Sequence, residues 1–196
     1  AEARPANGQL PLDPHRILVS VVSDTGAGAG ADSLGGWLGL AIGAGLERQG
    51  AGKVVTHRSV QRFLATIGAA PGAGVPGSRL AELAALTRAG VAVTGSYSTS
   101  AGRIRLTLRV GDLATRSTAR PIVVTSTMSR VDRLIETAVR RLATPLAVSA
   151  HAGYAETPTN SRPAPSFAAY RAFEEGLRLA ADGRLPQALQ LLRTAA

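Results

Sequence analysis

Residues 91–111 read VAVTGSYSTSAGRIRLTLRVG, two strand-like runs on either side of Ala101-Gly102. The second run alternates without a break. Ile104, Leu106, Leu108 and Val110 fall on one face, and Arg103, Arg105, Thr107 and Arg109 on the other. A period of two with one apolar set is what a strand covered on one side and wet on the other requires. Val91–Ser100 is its hairpin partner, because a short Gly-containing connection between two such runs closes an antiparallel pair. Residues 121–128, PIVVTSTM, supply a third strand of the same sheet.

Upstream, Arg16–Ser23 (RILVSVVS) is nearly continuously apolar and rich in β-branched residues, as a central strand buried on both faces would be. After the Gly/Ala loop Asp24–Ala31 a helix is predicted, with Asp32 or Ser33 as N-cap and Gly50 near its end. Leu34, Trp37, Leu38, Ala41, Ile42 and Leu46 form its apolar stripe. Lys53–Thr56 is a short strand, and Val60, Phe63, Leu64 and Ile67 mark a second helix. Residues 69–77 form a Pro/Gly loop, and Ser78 then caps a helix that runs to Arg88 and is stopped by Gly90. Ser129, with Asp132 three residues on, resembles a capping box. The helix it opens carries Val131, Leu134, Ile135, Ala138, Val139 and Leu142 on one stripe. This order predicts an α/β (α+β) fold, a mixed sheet with helices mainly on one face and the arginine-bearing face open.

The domain reading is a flexible lead-in over 1–15, an α/β domain over 16–148, a Pro-rich linker over 149–165 and a helical hairpin over 166–196. The hairpin reads SFAAYRAFEEGLRLAADGRLPQALQLLRTAA. Gly176, Gly183, Ala188, Leu192 and Ala195 fall at the small, turn, small, large and small positions of a tetratricopeptide unit. Ala172 and Leu179 depart from it, standing where an aromatic and a Tyr are usual. A plain helical hairpin docked on the domain is the alternative. One repeat cannot bury its own apolar face, so the chain is expected to be part of something longer.

Composition narrows the classes. A 45% hydrophobic content in 196 residues, with a mean hydropathy of +0.11, suffices for a packed core. The net charge of +9 points towards anions, but Arg supplies all 22 basic residues except Lys53, in a chain crowded with Ala, Gly and Pro. That bias is what GC-rich coding would give whatever the partner. With no Cys there are no disulfides, thiolate metal sites or thiol nucleophiles. The longest weakly polar run, Leu34–Leu46, falls short of the roughly 20 residues a membrane span needs.

No constellation for chemistry stands out. Gly26-x-Gly28-x-x-Ala31 follows a strand and precedes a helix, imitating a dinucleotide fingerprint. The second strand, however, ends in Val55-Thr56-His57 with no acid for a ribose hydroxyl, and Asp32 would repel a phosphate. No cofactor is expected. His15, His57 and His151 lie in three separate segments, so no metal site is expected either. Asp24 and Asp32 read as turn and cap residues rather than a catalytic pair, and no catalytic residue is assigned. The stripe Arg103, Arg105 and Arg109 could meet phosphates, but only Tyr97 stands near it for stacking. A partner surface or a solvated face fits better than nucleic acid.

Three stretches carry a family likeness: VVSDTGAGAGADSLGGWLGLAIGAGL, VAVTGSYSTSAGRIRLTLRVGDLAT, and the Pro-rich connector into APSFAAYRAFEEGL. In this order the chain resembles the extracytoplasmic region of bacterial membrane-anchored serine/threonine protein kinases. The first part of that region is like the N-terminal domain of TolB and the FlgO group, and it passes into tetratricopeptide repeats. The resemblance implies a non-catalytic sensory or protein-interaction region outside the membrane, with the kinase domain and the anchor elsewhere in a parent protein. A protein or peptide partner is implied, with homo-oligomers as a further possibility. The residues singled out for partner binding are Arg103, Arg105, Arg109, Tyr170 and Phe173. A stand-alone periplasmic accessory protein of the TolB/FlgO kind is the alternative, and a nucleotide-binding enzyme using the Gly26–Ala31 loop is another.

Overall fold

The computed structural model describes residues 11–20, 23–25, 33–69, 74–149 and 164–195. Among them, seven strands make one mixed sheet: β1 (Asp13–Val19), β2 (Ser23–Asp24), β3 (Lys53–Val54), β4 (Ala89–Ser100), β5 (Arg103–Asp112), β6 (Ser117–Thr118) and β7 (Ile122–Thr127). The order is β3-β1-β4-β5-β6, with β2 also paired to β4 and β7 to β5. β1 is parallel to β3 and β4, whereas β4, β5 and β7 pair antiparallel. The helices are α1 (Ser33–Arg48), α2 (His57–Thr66), α3 (Gly77–Thr87), α4 (Val131–Ser149), α5 (Phe167–Ala181) and α6 (Leu185–Ala195). None of the described helices is long and apolar enough to cross a membrane.

The β4–β5 hairpin organises the sheet. Its two-residue turn holds Ala101 at φ 48° and Gly102 at φ 72°, the left-handed pair whose twist suits a tight hairpin. That turn sets Thr94 opposite Arg109 and Ser98 opposite Arg105, so every arginine of β5 lies on one face. Ile104, Leu106, Leu108 and Val110 go to the other face and are buried. There they join the predicted apolar stripes of α1 and α4, together with Ile17, Val19, Val91 and Val93, in the larger of two cores. The smaller core forms on the opposite face, where Leu18 and Ala89 meet Val60, Phe63 and Leu64 of α2 and Leu83 of α3. β1 is thus buried on both faces, which is why its sequence is a continuous apolar run rather than an alternating one.

Three local expectations shift. Pairing of β1 begins at Asp13, where the Asp13 N–H donates to the Arg88 carbonyl at 2.9 Å, and the register slips between Asp13 and Ile17. Pro14 lies inside that irregularity, where a missing N–H is tolerated. α3 ends one turn before the glycine expected to stop it: Arg88 takes the left-handed cap at φ 57°, and Gly90 lies within β4. Ser129 sits in a 3-10 turn (Met128–Arg130) ahead of α4, its hydroxyl 3.0 Å from that of Thr127, so it does not open a capping box.

Gly90 serves a close approach instead. A Cβ there would lie 2.5 Å from the Asp13 carbonyl oxygen and 2.7 Å from Pro14 Cα, both backbone atoms that cannot swing aside. Gly90→Ala is therefore expected to destabilise the fold by about 2–3 kcal/mol, exceeding the roughly 0.4–1 kcal/mol that a stiffer unfolded chain returns. Urea unfolding followed by circular dichroism measures it, and an unchanged or raised midpoint would refute the close packing of β1 on β4.

Candidate functional site

The five residues singled out for partner binding fall on two separate surfaces. Arg103, Arg105 and Arg109 project from β5 on the face opposite the larger core, and all three are exposed. Across from them on β4 stand Ser100, Ser98 and Thr94, and on the other side Thr127 and Thr125 of β7 oppose Arg103 and Arg105. Among the described residues no helix covers this stretch as α1 and α4 cover the other face, and the three arginines are exposed as the alternation predicted.

Tyr170 and Phe173 are on α5 and part company. Tyr170 is 7% exposed and belongs to the larger core, whereas Phe173 is 44% exposed. Their spacing of three residues puts them on neighbouring but distinct sides of the helix. Ser166 starts α5 by accepting the Ala169 N–H at 3.1 Å, a conventional N-cap. The helix then docks on α1 through aromatics. The Phe167 ring lies 5.4 Å from that of Trp37, and the Trp37 indole N–H donates to the Pro165 carbonyl at 2.8 Å. The Tyr170 ring meets His57 edge-on at 6.2 Å, with its hydroxyl 3.4 Å from Nε2. That hydroxyl occupies the space where a side chain at Gly36 would be, since a Cβ there would come within 2.7 Å of it.

α6 folds back on α5 with little space between the helices. A Cβ at Gly176 would lie 2.9 Å from Leu192 Cγ, and Ala188 is buried beside it. Gly183, at φ 78°, makes the turn. The outer surface of the pair keeps large apolar side chains in water: Phe173, Leu177, Leu185 and Leu189 are all exposed. A groove of about 550 Å³ runs along α6, lined by Pro186, Leu189, Gln190, Arg193 and Thr194.

The electrostatics follow burial. Desolvation holds the His57 imidazole below its ordinary 6.5, favouring the neutral ring against Tyr170. Burial, and then the neighbouring Glu174 carboxylate, push the Tyr170 hydroxyl well above its ordinary value, so it stays protonated. Glu175 is lowered, mainly by its hydrogen bond to Arg178 on the same helix.

The other sequence candidates do not converge. Residues 26–32, with the Gly26–Ala31 loop and Asp32, lie outside the described residues, as does His151. His15 is on β1 and His57 at the start of α2. Among the described residues no group of three His, Asp or Glu is placed to hold a metal ion. Sequence reasoning missed the anchoring role of Trp37 and Phe167, which the N-cap Ser166 followed by an aromatic could have suggested. It also missed a groove between α3 and the arginine face, because α3 carries no periodic signal on that side.

No protein-family model matches the chain, and no curated protein matches it. Solved structures resemble it only distantly. LpoB from E. coli, determined by NMR, gives a TM-score of 0.49 at 14% identity over 65% of this chain and 75% of that one. The lipoprotein GNA1162 from Neisseria meningitidis gives 0.48 at 16% identity over 67% and 99%. TolB from Acinetobacter baumannii gives 0.41 at 14% identity over 76% and 31%.

Burial of His57 makes the stability of the fold pH-dependent. Because the folded-state pKa of His57 lies below its value of 6.5 in the open chain, the unfolded form takes up the proton first. The stability it contributes is complete above about pH 6.5 and is lost as pH falls through the folded value. Urea midpoints are expected to drop as pH falls below about 6.5, and His57→Gln should flatten that part of the profile. Equal slopes in both proteins would show that the burial of His57 carries none of that pH dependence.

Proposed function

We propose that this chain is a non-catalytic interaction domain, an accessory unit that works on the outer side of a bacterial cytoplasmic membrane by binding protein partners. One observation carries the interaction part. The α5–α6 hairpin is fixed to the α/β unit by buried aromatics, yet holds Phe173, Leu177, Leu185 and Leu189 out in water. Large apolar side chains placed on a rigid outer surface are the usual mark of a binding surface. The membrane-side placement rests on the sequence likeness to the TolB N-terminal and FlgO group.

The second reading is the narrower one, in which the domain is the sensory region of a membrane-anchored serine/threonine kinase and the hairpin opens a tetratricopeptide array. The packing of Gly176 against Leu192 and Ala188 favours it, since small residues that let two helices touch are what such a unit needs. In that case the exposed leucines meet the next repeat rather than a separate partner.

Site-specific photo-crosslinking in the producing cell separates the two. A photoreactive residue at Phe173 or Leu189 is expected to trap one discrete partner polypeptide, whereas one at exposed Ala65 of α2 should not. The substitutions Leu177→Ser and Leu189→Ser, both at exposed sites, should change stability by less than about 0.5 kcal/mol and abolish the crosslink. Crosslinks solely within the parent chain would favour the repeat array. No specific crosslink at either position would overturn the interaction reading of the hairpin.

A further inference from the structure

On the face away from the larger core, α3 runs beside the sheet without closing onto β5, leaving a groove of about 840 Å³. Its floor is Ala92 and Gly111, one wall is Ala81 and Ala84 of α3, and Arg109 and Arg116 stand at the other side. Beyond the groove, Arg105 and Arg103 continue from Arg109 along the same face of β5. We propose that this groove and the arginine row beyond it bind an extended acidic segment of a partner polypeptide.

Charge is the first ground. The ion pairs among the described residues are Arg79–Glu82 and those of Arg178 with Glu175 and Asp182. Arg103, Arg105, Arg109 and Arg116 take part in none of them, so the row is uncompensated. The one carboxylate at the rim, Asp112, is committed to its own turn, accepting the Ala114 and Thr115 N–H groups at 2.9 Å each. The 196 residues hold no acidic run that could fill the groove. The 13 acidic residues are scattered, and the only adjacent pair, Glu174-Glu175, lies on α5.

Spacing is the second ground. Side chains two apart on a strand repeat about every 6.6–6.8 Å, and acidic side chains at alternate positions of an extended peptide have the same repeat. Carboxylates at such positions would meet Arg103 and Arg105 in succession, and one four residues further would reach Arg109. Each guanidinium offers a forked pair of donors that fits a carboxylate. Thr94, Ser98 and Thr125, directly across the ladder from these arginines, add hydroxyl donors.

Shape and composition decide against the other polyanions. The floor lies between α3 and the β5–β6 turn, where a single chain fits but a duplex or a bilayer surface does not reach. A single-stranded nucleic acid would want aromatic platforms. The only aromatic on these three strands, Tyr97, is buried in the larger core on the opposite face. This surface is separate from the hairpin and stands whether or not the hairpin binds a partner.

The test is fluorescence anisotropy on the full chain with a labelled dodecapeptide of alternating Glu and Thr. Saturable binding that weakens with salt is expected. Arg105→Glu with Arg109→Glu should weaken it at least about tenfold, and so should Ala81→Glu, which places a negative charge in the groove at an exposed position. Leu189→Ser on the hairpin should leave it unchanged, which keeps failure here distinct from failure of the hairpin reading. Arg105→Gln with Arg109→Gln serves as a second, gentler pair, and thermal melts confirm that each variant is folded. Absence of saturable binding, equal affinity in the arginine variants, or tighter binding of phosphatidylglycerol vesicles or a single-stranded oligonucleotide would each overturn the proposal.

Discussion

One strand shared by two cores governs this structure. From Ala89 to Val93 every residue of β4 is buried, because α1 and α4 press on one side while the smaller core lies on the other. Beyond Val93 the second cover ends, and the inward Tyr97 is set among half-buried and exposed Thr and Ser residues. The composition changes where the packing does. Arginines under a second helical layer would have to give up water without partners, a cost their hydration forbids. They sit on β5 opposite the part of β4 that no second layer of described residues covers. The open face is therefore written into the lengths of α2 and α3 as much as into the arginines themselves.

The hairpin depends on a contact of a different kind. α1 presents Trp37 and the bare backbone of Gly36 to α5, which answers with Phe167 and Tyr170. A large ring on one helix and a missing side chain on the other let the pair interlock, and the indole N–H to Pro165 fixes the point of entry. An appendage joined only by a linker would leave Trp37 needing another cover and its N–H another acceptor. With these contacts, Tyr170 becomes part of the domain's own core while the leucines at the hairpin surface remain outside it.

Much of this was legible because the patterns were periodic. The alternation in Arg103–Val110 gave the strand, its two faces and the open side. The stripes of α1 and α4 named twelve core residues, every one of which is buried, and left out only Leu146 of α4 among the buried hydrophobic positions there. What escaped were features that depend on a contact partner. Gly90 looks like a helix stop until Asp13 is seen against it. Pro14 looks like the end of a lead-in until the register slip shows how β1 absorbs it. Tyr170 and Phe173, three residues apart in one apolar helix, cannot be told apart until α1 claims one and leaves the other. The groove at Arg109 and Arg116 needs α3 in place before it exists.

Only with the hairpin and the α/β unit as one body do the apolar hairpin surface and the cationic sheet face belong to one rigid frame. Trp37 is the only tryptophan in the chain, so a single indole N–H resonance reports on the junction. The measurement is the hydrogen-exchange rate of that proton by NMR, with its cross-relaxation to the Phe167 ring. Exchange slowed well below that of a free indole, with contacts to Phe167, is the result expected. A freely exchanging indole without those contacts, in a protein whose β4–β5 amides stay protected, would contradict it.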